Sequence, residues 1–188
     1  TINFILKTFK RFKYTSIKKQ GFNLKSWTIN KSNVFIFDNS EIIIDSKPCL
    51  FFPNLNIKTK LIDINYGSIP HIINNKKLVK NNVVLLKNEL EPFCEPESLV
   101  YKLKVLAENE VKCVLFYDDF FQGRFTKHFS SNDWVNSEPY NLEIPIIQTS
   151  REDGNFLSNK LKKNSFDINI NVGTEYTKQK SYNIIANL

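Results

Sequence analysis

Apolar residues recur every three or four positions at the start of the chain: Ile2, Ile5, Leu6, Phe9 and Phe12, with lysines on the other face. That period predicts an amphipathic helix over residues 2–20. Gly21-Phe22 is its stop, glycine being free to take the left-handed cap conformation. Over residues 27–65 the pattern turns to β. Val34-Phe35-Ile36-Phe37 and Glu41-Ile42-Ile43-Ile44-Asp45 are β-branched or aromatic runs separated by Asp38-Asn39-Ser40, a hairpin-like turn. Residues 60–64 read as another strand, 67–82 as loop-rich and Val83-Val84-Leu85-Leu86 as a buried strand, with Pro92 and Pro96 bracketing a break.

The next unit changes period. Leu99, Leu103, Leu106 and Ala107 line one face of a helix predicted over 98–108, followed at once by a strand over 111–117. Strand 83–86, this helix and strand 111–117 form a βαβ-like unit. A polar, aromatic loop fills 118–142. After it come a short strand at Ile144-Pro145-Ile146-Ile147, a helix over 152–163 and a closing strand pair over 166–172 and 182–186. Short mixed strands with two or three short helices, preceded by the amphipathic helix, give a single α+β domain.

The 188 residues suffice for one such domain with a real core. Their net charge of +7 is unevenly spread. Residues 1–31 hold eight Lys and Arg and no acid, leaving the rest of the chain near neutral. That concentration marks residues 2–20 as a candidate membrane-surface helix beside the simpler reading of a helix packed on a domain. Basic charge confined to one segment argues against a nucleic-acid-binding fold. The absence of methionine, the initiator included, suggests a piece of something longer.

Cys49, Cys94 and Cys113 are an odd number at wide spacing, with no Cys/His ligand pattern for a zinc finger. Cys113 lies in an apolar run and reads as a buried thiol; a Cys49–Cys94 bridge stays open for an exported chain. His71 and His128 lack a second ligand at helical spacing, and Asp118-Asp119 offers too few oxygens for a hard cation. No phosphate-binding loop, dinucleotide fingerprint or nucleophile elbow occurs. The residues specify no self-sufficient active site. No catalytic, cofactor-binding or metal-ligating residue is assigned.

The order of elements around Cys94, the helix with Lys102 and Ala107, and strand 111–117 resembles the first half of a protease-associated domain. The connector here lacks that family's Arg-Gly pair, and Phe93 precedes Cys94. The stretch from Leu142 through Ile144-Pro145-Ile146-Ile147, Ser150, Gly154 and Leu157 is similar to the family's second half, a strand leading through a Ser cap and an acidic first turn into a helix. Tyr182-Asn183-Ile184-Ile185-Ala186 looks like the strand that opens the catalytic domain of zinc-dependent aminopeptidases and carboxypeptidases of the transferrin-receptor type. The resemblance implies a mixed β-sandwich or open-barrel-like domain. It divides the chain into helix and lead-in strands (1–45), the protease-associated-like domain (46–178) and the first strand of a truncated peptidase domain (179–188). It further implies a non-catalytic accessory domain of an exported, lumenal or extracellular metallopeptidase. Zinc belongs to the missing catalytic domain, and the partners are that domain and peptide or protein substrates. The alternative is a stand-alone interaction module. Within the loop, Phe120, Phe121, Phe125, Phe129, Trp134 and Tyr140 are the candidate contact surface.

Overall fold

The computed structural model describes residues 2–12, 14, 16–49, 53–89, 92–118 and 144–187. The chain divides into two units: Thr1–Thr28 with Glu175–Leu188, and Ile29–Thr174. Two long strands, β1 (Ser16–Asp38) and β8 (Asp167–Asn187), belong to both.

The larger unit is mixed α/β, compatible with the α+β class. Its elements are the ends of β1 and β8, β2 (Ser40–Ile43), β3 (Ser46–Pro48), β4 (Leu55–Asp63), α2 (Ile69–Asn74), α3 (Lys76–Val79), β5 (Val83–Lys87), α4 (Leu99–Glu108), β6 (Cys113–Tyr117), β7 (Ile146–Thr149) and α5 (Arg151–Leu161). The strands hydrogen-bond in the order β2-β1-β8-β4-β5-β6-β7-β3. β4 through β7 run parallel, while β8 and β3 flank them antiparallel. The expected hairpin is present, with Asp38 opposite Ser40 around Asn39 at φ +62°.

Parallel strands covered on both faces read as nearly continuous apolar runs. β5, β6 and β7 accordingly lose nearly all contact with water, although Gln148 and Thr149 of β7 are polar. Val84, Leu86, Val114, Phe116 and Ile146 join Ile72 of α2, Val79 of α3 and Leu103 and Leu106 of α4 in one cluster. The alternate residues Val83, Leu85, Leu115 and Ile147 point to the other face, where α5 packs on β4, β5 and β6. Each fully buried Leu or Ile contributes about 2 kcal/mol of transfer free energy.

The smaller unit holds α1 (Ile2–Phe9) and the remaining lengths of β1 and β8. Ser16 meets Asn187 and Thr28 meets the carbonyl of Glu175, so these lengths run antiparallel.

Five expectations need correction. The N-terminal helix ends at Phe9, not near residue 20: the rings of Phe9 and Phe12 close on Tyr14, and from Ser16 the backbone is a strand. Gly21 is therefore a strand residue beside Lys180 and Tyr182, not a cap. Residues 67–82 are not mainly loop but carry α2 and α3, held by Ile72 and Val79 in the core. The closing strand pair is one unbroken strand of 21 residues. Beyond the N-terminal helix, four helices stand among the described residues, not two or three.

Candidate functional site

β4, β5 and β6 end on polar residues, Asp63, Lys87 and, one residue past β6, Asp118. Open α/β sheets receive ligands outside this carboxyl edge. Here each of these groups is engaged by its own neighbours. Asp63 accepts the Asn65 N–H at 2.8 Å and the Ser158 hydroxyl at 2.5 Å. Lys87 pairs with Glu89 at 2.9 Å, its ammonium 5.4 Å from the centre of the Tyr66 ring. Asn88 donates its side-chain amide to Asp118 at 3.1 Å.

After β4 the chain turns through Asn65 and Gly67, both at positive φ. A Cβ on Gly67 would approach Leu86 Cδ1 to 2.5 Å, so the turn requires glycine there on steric as well as torsional grounds. The turn and α2 border a cavity of about 270 Å³ lined by Ile64, Asn65, Tyr66, Gly67, Ser68 and His71. Lys102 of α4, only 7% exposed, is tied to the same turn. Its Nζ donates to the Tyr66 carbonyl at 2.6 Å and stands 3.8 Å from Glu97. Glu97 in turn accepts the Ile69 N–H through both oxygens, placing negative charge at the start of α2. A buried ammonium is tolerable only with such partners.

A second junction joins β7, α5 and the β2–β3 connection. Ser150 caps α5 by accepting the Asp153 N–H at 3.2 Å. Asp153 accepts the Asp45 N–H at 2.6 Å, and the Asp45 carbonyl accepts from the Thr149 hydroxyl and the Ser150 N–H. The amino end of α5 is thus filled by the chain's own groups.

These networks position loops; they do not assemble a reacting pair. Among the described residues no three His, Cys, Asp or Glu converge into a donor set for a metal ion. His71 is exposed beside the cavity. The candidate contact aromatics Phe120, Phe121, Phe125, Phe129, Trp134 and Tyr140 lie outside the described residues, as do His128 and Asp119. Their segment leaves at Asp118 and returns at Ile144, which is buried.

Cys49 and Cys94 are not bridged: Cys49 is buried, Cys94 exposed, and none of the three cysteines forms a disulfide. Cys113 is the expected buried thiol. Burial, and secondarily the neighbouring Cys49, push its pKa well above the ordinary thiol value.

Sequence reading missed the Lys102–Tyr66–Glu97 clamp. Its signal was a lysine three residues after Leu99 and four before Leu106, on the helix stripe that faces inward. The Asp45 junction left no local signal, because its partners are more than a hundred residues away.

No protein-family model matches the chain, and no curated protein matches it by sequence. Solved structures do match. The aminopeptidase from Aneurinibacillus sp. strain AM-1 aligns with a TM-score of 0.68 at 16% identity over 98% of this chain. The zinc aminopeptidase BSAP from Bacillus subtilis gives 0.65 at 16% over 98%. A peptidase M28 precursor from Shewanella amazonensis SB2B gives 0.65 at 11% over 98%. The chain spans 41%, 39% and 44% of those proteins, about two-fifths of their length. At such identities the likeness establishes the fold: this chain has the fold of a portion of zinc aminopeptidases.

Proposed function

We propose that this chain is the non-catalytic accessory portion of a zinc-dependent exopeptidase. The observation that carries the reading is that 98% of the chain aligns with only two-fifths of zinc aminopeptidase chains. In this reading the larger unit is a protease-associated-like domain inserted near the edge of a peptidase. The smaller unit, with the Tyr182–Ala186 stretch, supplies that peptidase's first structural elements. Zinc is held by residues outside this chain. The larger unit walls the substrate cleft and shapes access, with the 118–142 aromatics meeting substrate or partner. Export to a lumenal or extracellular compartment belongs to the same proposal.

Intact mass and C-terminal peptide sequencing of the native protein test it. Peptides running past Leu188 into a His- and Asp-bearing segment support the reading; a native chain ending near Leu188 overturns it in favour of a stand-alone interaction module. In the longer protein, replacing residues 29–174 by a short Gly/Ser bridge is expected to change kcat/KM for peptides much more than for a single-residue chromogenic substrate. Equal effects on both would refute a role in substrate access.

A further inference from the structure

Within the larger unit, β8 buries every second residue, Ile168, Ile170 and Val172, and turns the alternate ones to the opposite face. Those alternate residues pair directly with polar residues of β4: Asn171 with Asn56, and Asn169 with Lys58. On the other side of β8, Lys31 of β1 lies beside Gly173, where a Cβ would come within 3.7 Å of the Lys31 Cβ. Antiparallel pairing from that point sets Asn33 beside Asn171 and Phe35 beside Asn169. The row Asn33–Asn171–Asn56 thus crosses three strands on one face of the sheet. Among the described residues, none of these amides, nor that of Asn169, is taken up by a hydrogen bond within the protein.

Aromatic and aliphatic groups continue the same face. Phe37 follows Phe35 by two positions with the two rings 6.0 Å apart, edge to face, and Ile43 of β2 is opposite Phe35. Phe37 is 63% exposed and Ile43 73%. Asn33, Asn56 and Lys58 are exposed as well. The face is close to charge balance: Lys31, Lys58 and Lys60 stand against Glu41 and Asp167, the last directly opposite Lys60.

We propose that this face binds a neutral polysaccharide. A primary amide presents an acceptor and two donors, which match the adjacent hydroxyls of a sugar ring. The negative face of a phenyl ring attracts the C–H groups that line the flat side of a pyranose. Successive residues on this face of β1 are about 7 Å apart, so one extended chain of sugars reaches both the asparagine row and the phenylalanines. Charge complementarity selects the occupant: a nearly balanced face gives a polyanion little attraction, whereas a neutral, hydroxyl-rich chain needs none. The proposal uses only residues of the larger unit and is independent of the peptidase reading.

Calorimetric titration of the full chain with soluble mixed-linkage β-glucan, galactomannan and arabinoxylan tests it. Binding of at least one of these polymers is expected, and it should persist in 1 M salt, where the screening length falls to about 3 Å. Phe37→Ala and Asn33→Ala should each weaken binding about tenfold, through loss of ring contact and of hydrogen bonds respectively. Unchanged circular dichroism shows that the variants stay folded. Combined Lys7→Gln and Arg11→Gln, in the smaller unit, should leave binding as it is. Binding of none of the polymers, loss of binding in 1 M salt, or full affinity in both the Phe37→Ala and Asn33→Ala variants overturns the proposal. So does single-stranded RNA that displaces the bound polysaccharide.

Discussion

The ring of Tyr117 lies directly over Gly154: a Cβ on that glycine would come within 2.6 Å of both Cδ atoms of the ring. Tyr117 ends β6, Gly154 sits in the first turns of α5, and both are buried. Glycine inside a helix ordinarily costs about 1 kcal/mol relative to alanine. The close approach reverses that sign. Gly154→Ala is therefore expected to destabilise the larger unit by about 2 kcal/mol, the usual scale of overpacking. Urea unfolding measures it. Tyr117→Ala in the same chain should recover much of the loss specific to Gly154→Ala, since contacting residues are non-additive. Simple additivity would show that the ring is not the cause.

Lys102 makes a different kind of prediction. Lys102→Met keeps the stem's packing but leaves the Tyr66 carbonyl and Glu97 without the ammonium. A hydrogen bond to a charged group is worth about 2 kcal/mol, and a similar loss of stability is expected. Amide exchange localises it: the Ile69 N–H, held by Glu97, should exchange faster in the variant, while Val114 in the core should not.

Ser150→Ala should cost about 1 kcal/mol through loss of the α5 cap. Ser150→Asp retains an acceptor for the Asp153 N–H and is expected to recover part of it. If both substitutions cost the same in thermal unfolding, the Asp153 bond contributes nothing measurable.

The cysteines separate by burial. In the native protein Cys94 should react with a thiol reagent at once, and Cys49 and Cys113 only as the chain unfolds. The raised pKa of Cys113 also sets a pH dependence. Above the ordinary thiol pKa the unfolded chain releases this proton while the folded chain keeps it, so protons favour folding and stability falls as pH rises. Below that value the contribution is fully present. Cys113→Ala should flatten the alkaline decline in denaturant midpoint; an unchanged slope assigns it to other groups.

Much of the larger unit was legible in the chain. Val83–Leu86, the stripe Leu99–Leu103–Leu106 and the Ser150-capped segment are local patterns of the right period, and they became β5, α4 and α5 within a few residues. Asp38-Asn39-Ser40 marked its hairpin because Asn39 tolerates positive φ. The carboxyl-edge networks were not legible, since Asp63 meets Ser158 across 95 positions and Asp153 meets Asp45 across 108.

The sequence by itself determined which short segments are apolar on one face or on two, and so where a core could form. It also determined that the basic charge gathers near the amino terminus. Only the tertiary structure decided that residues 16–28 are a strand. Nearly every side chain there is at least partly exposed, so burial leaves no period to read, and partners near residues 175–187 supply what local pattern cannot. The same distant pairing makes β8 one strand and brings Lys178 and Lys180 to the smaller unit. Strand pairing is chosen between segments, whereas periodicity is written within one.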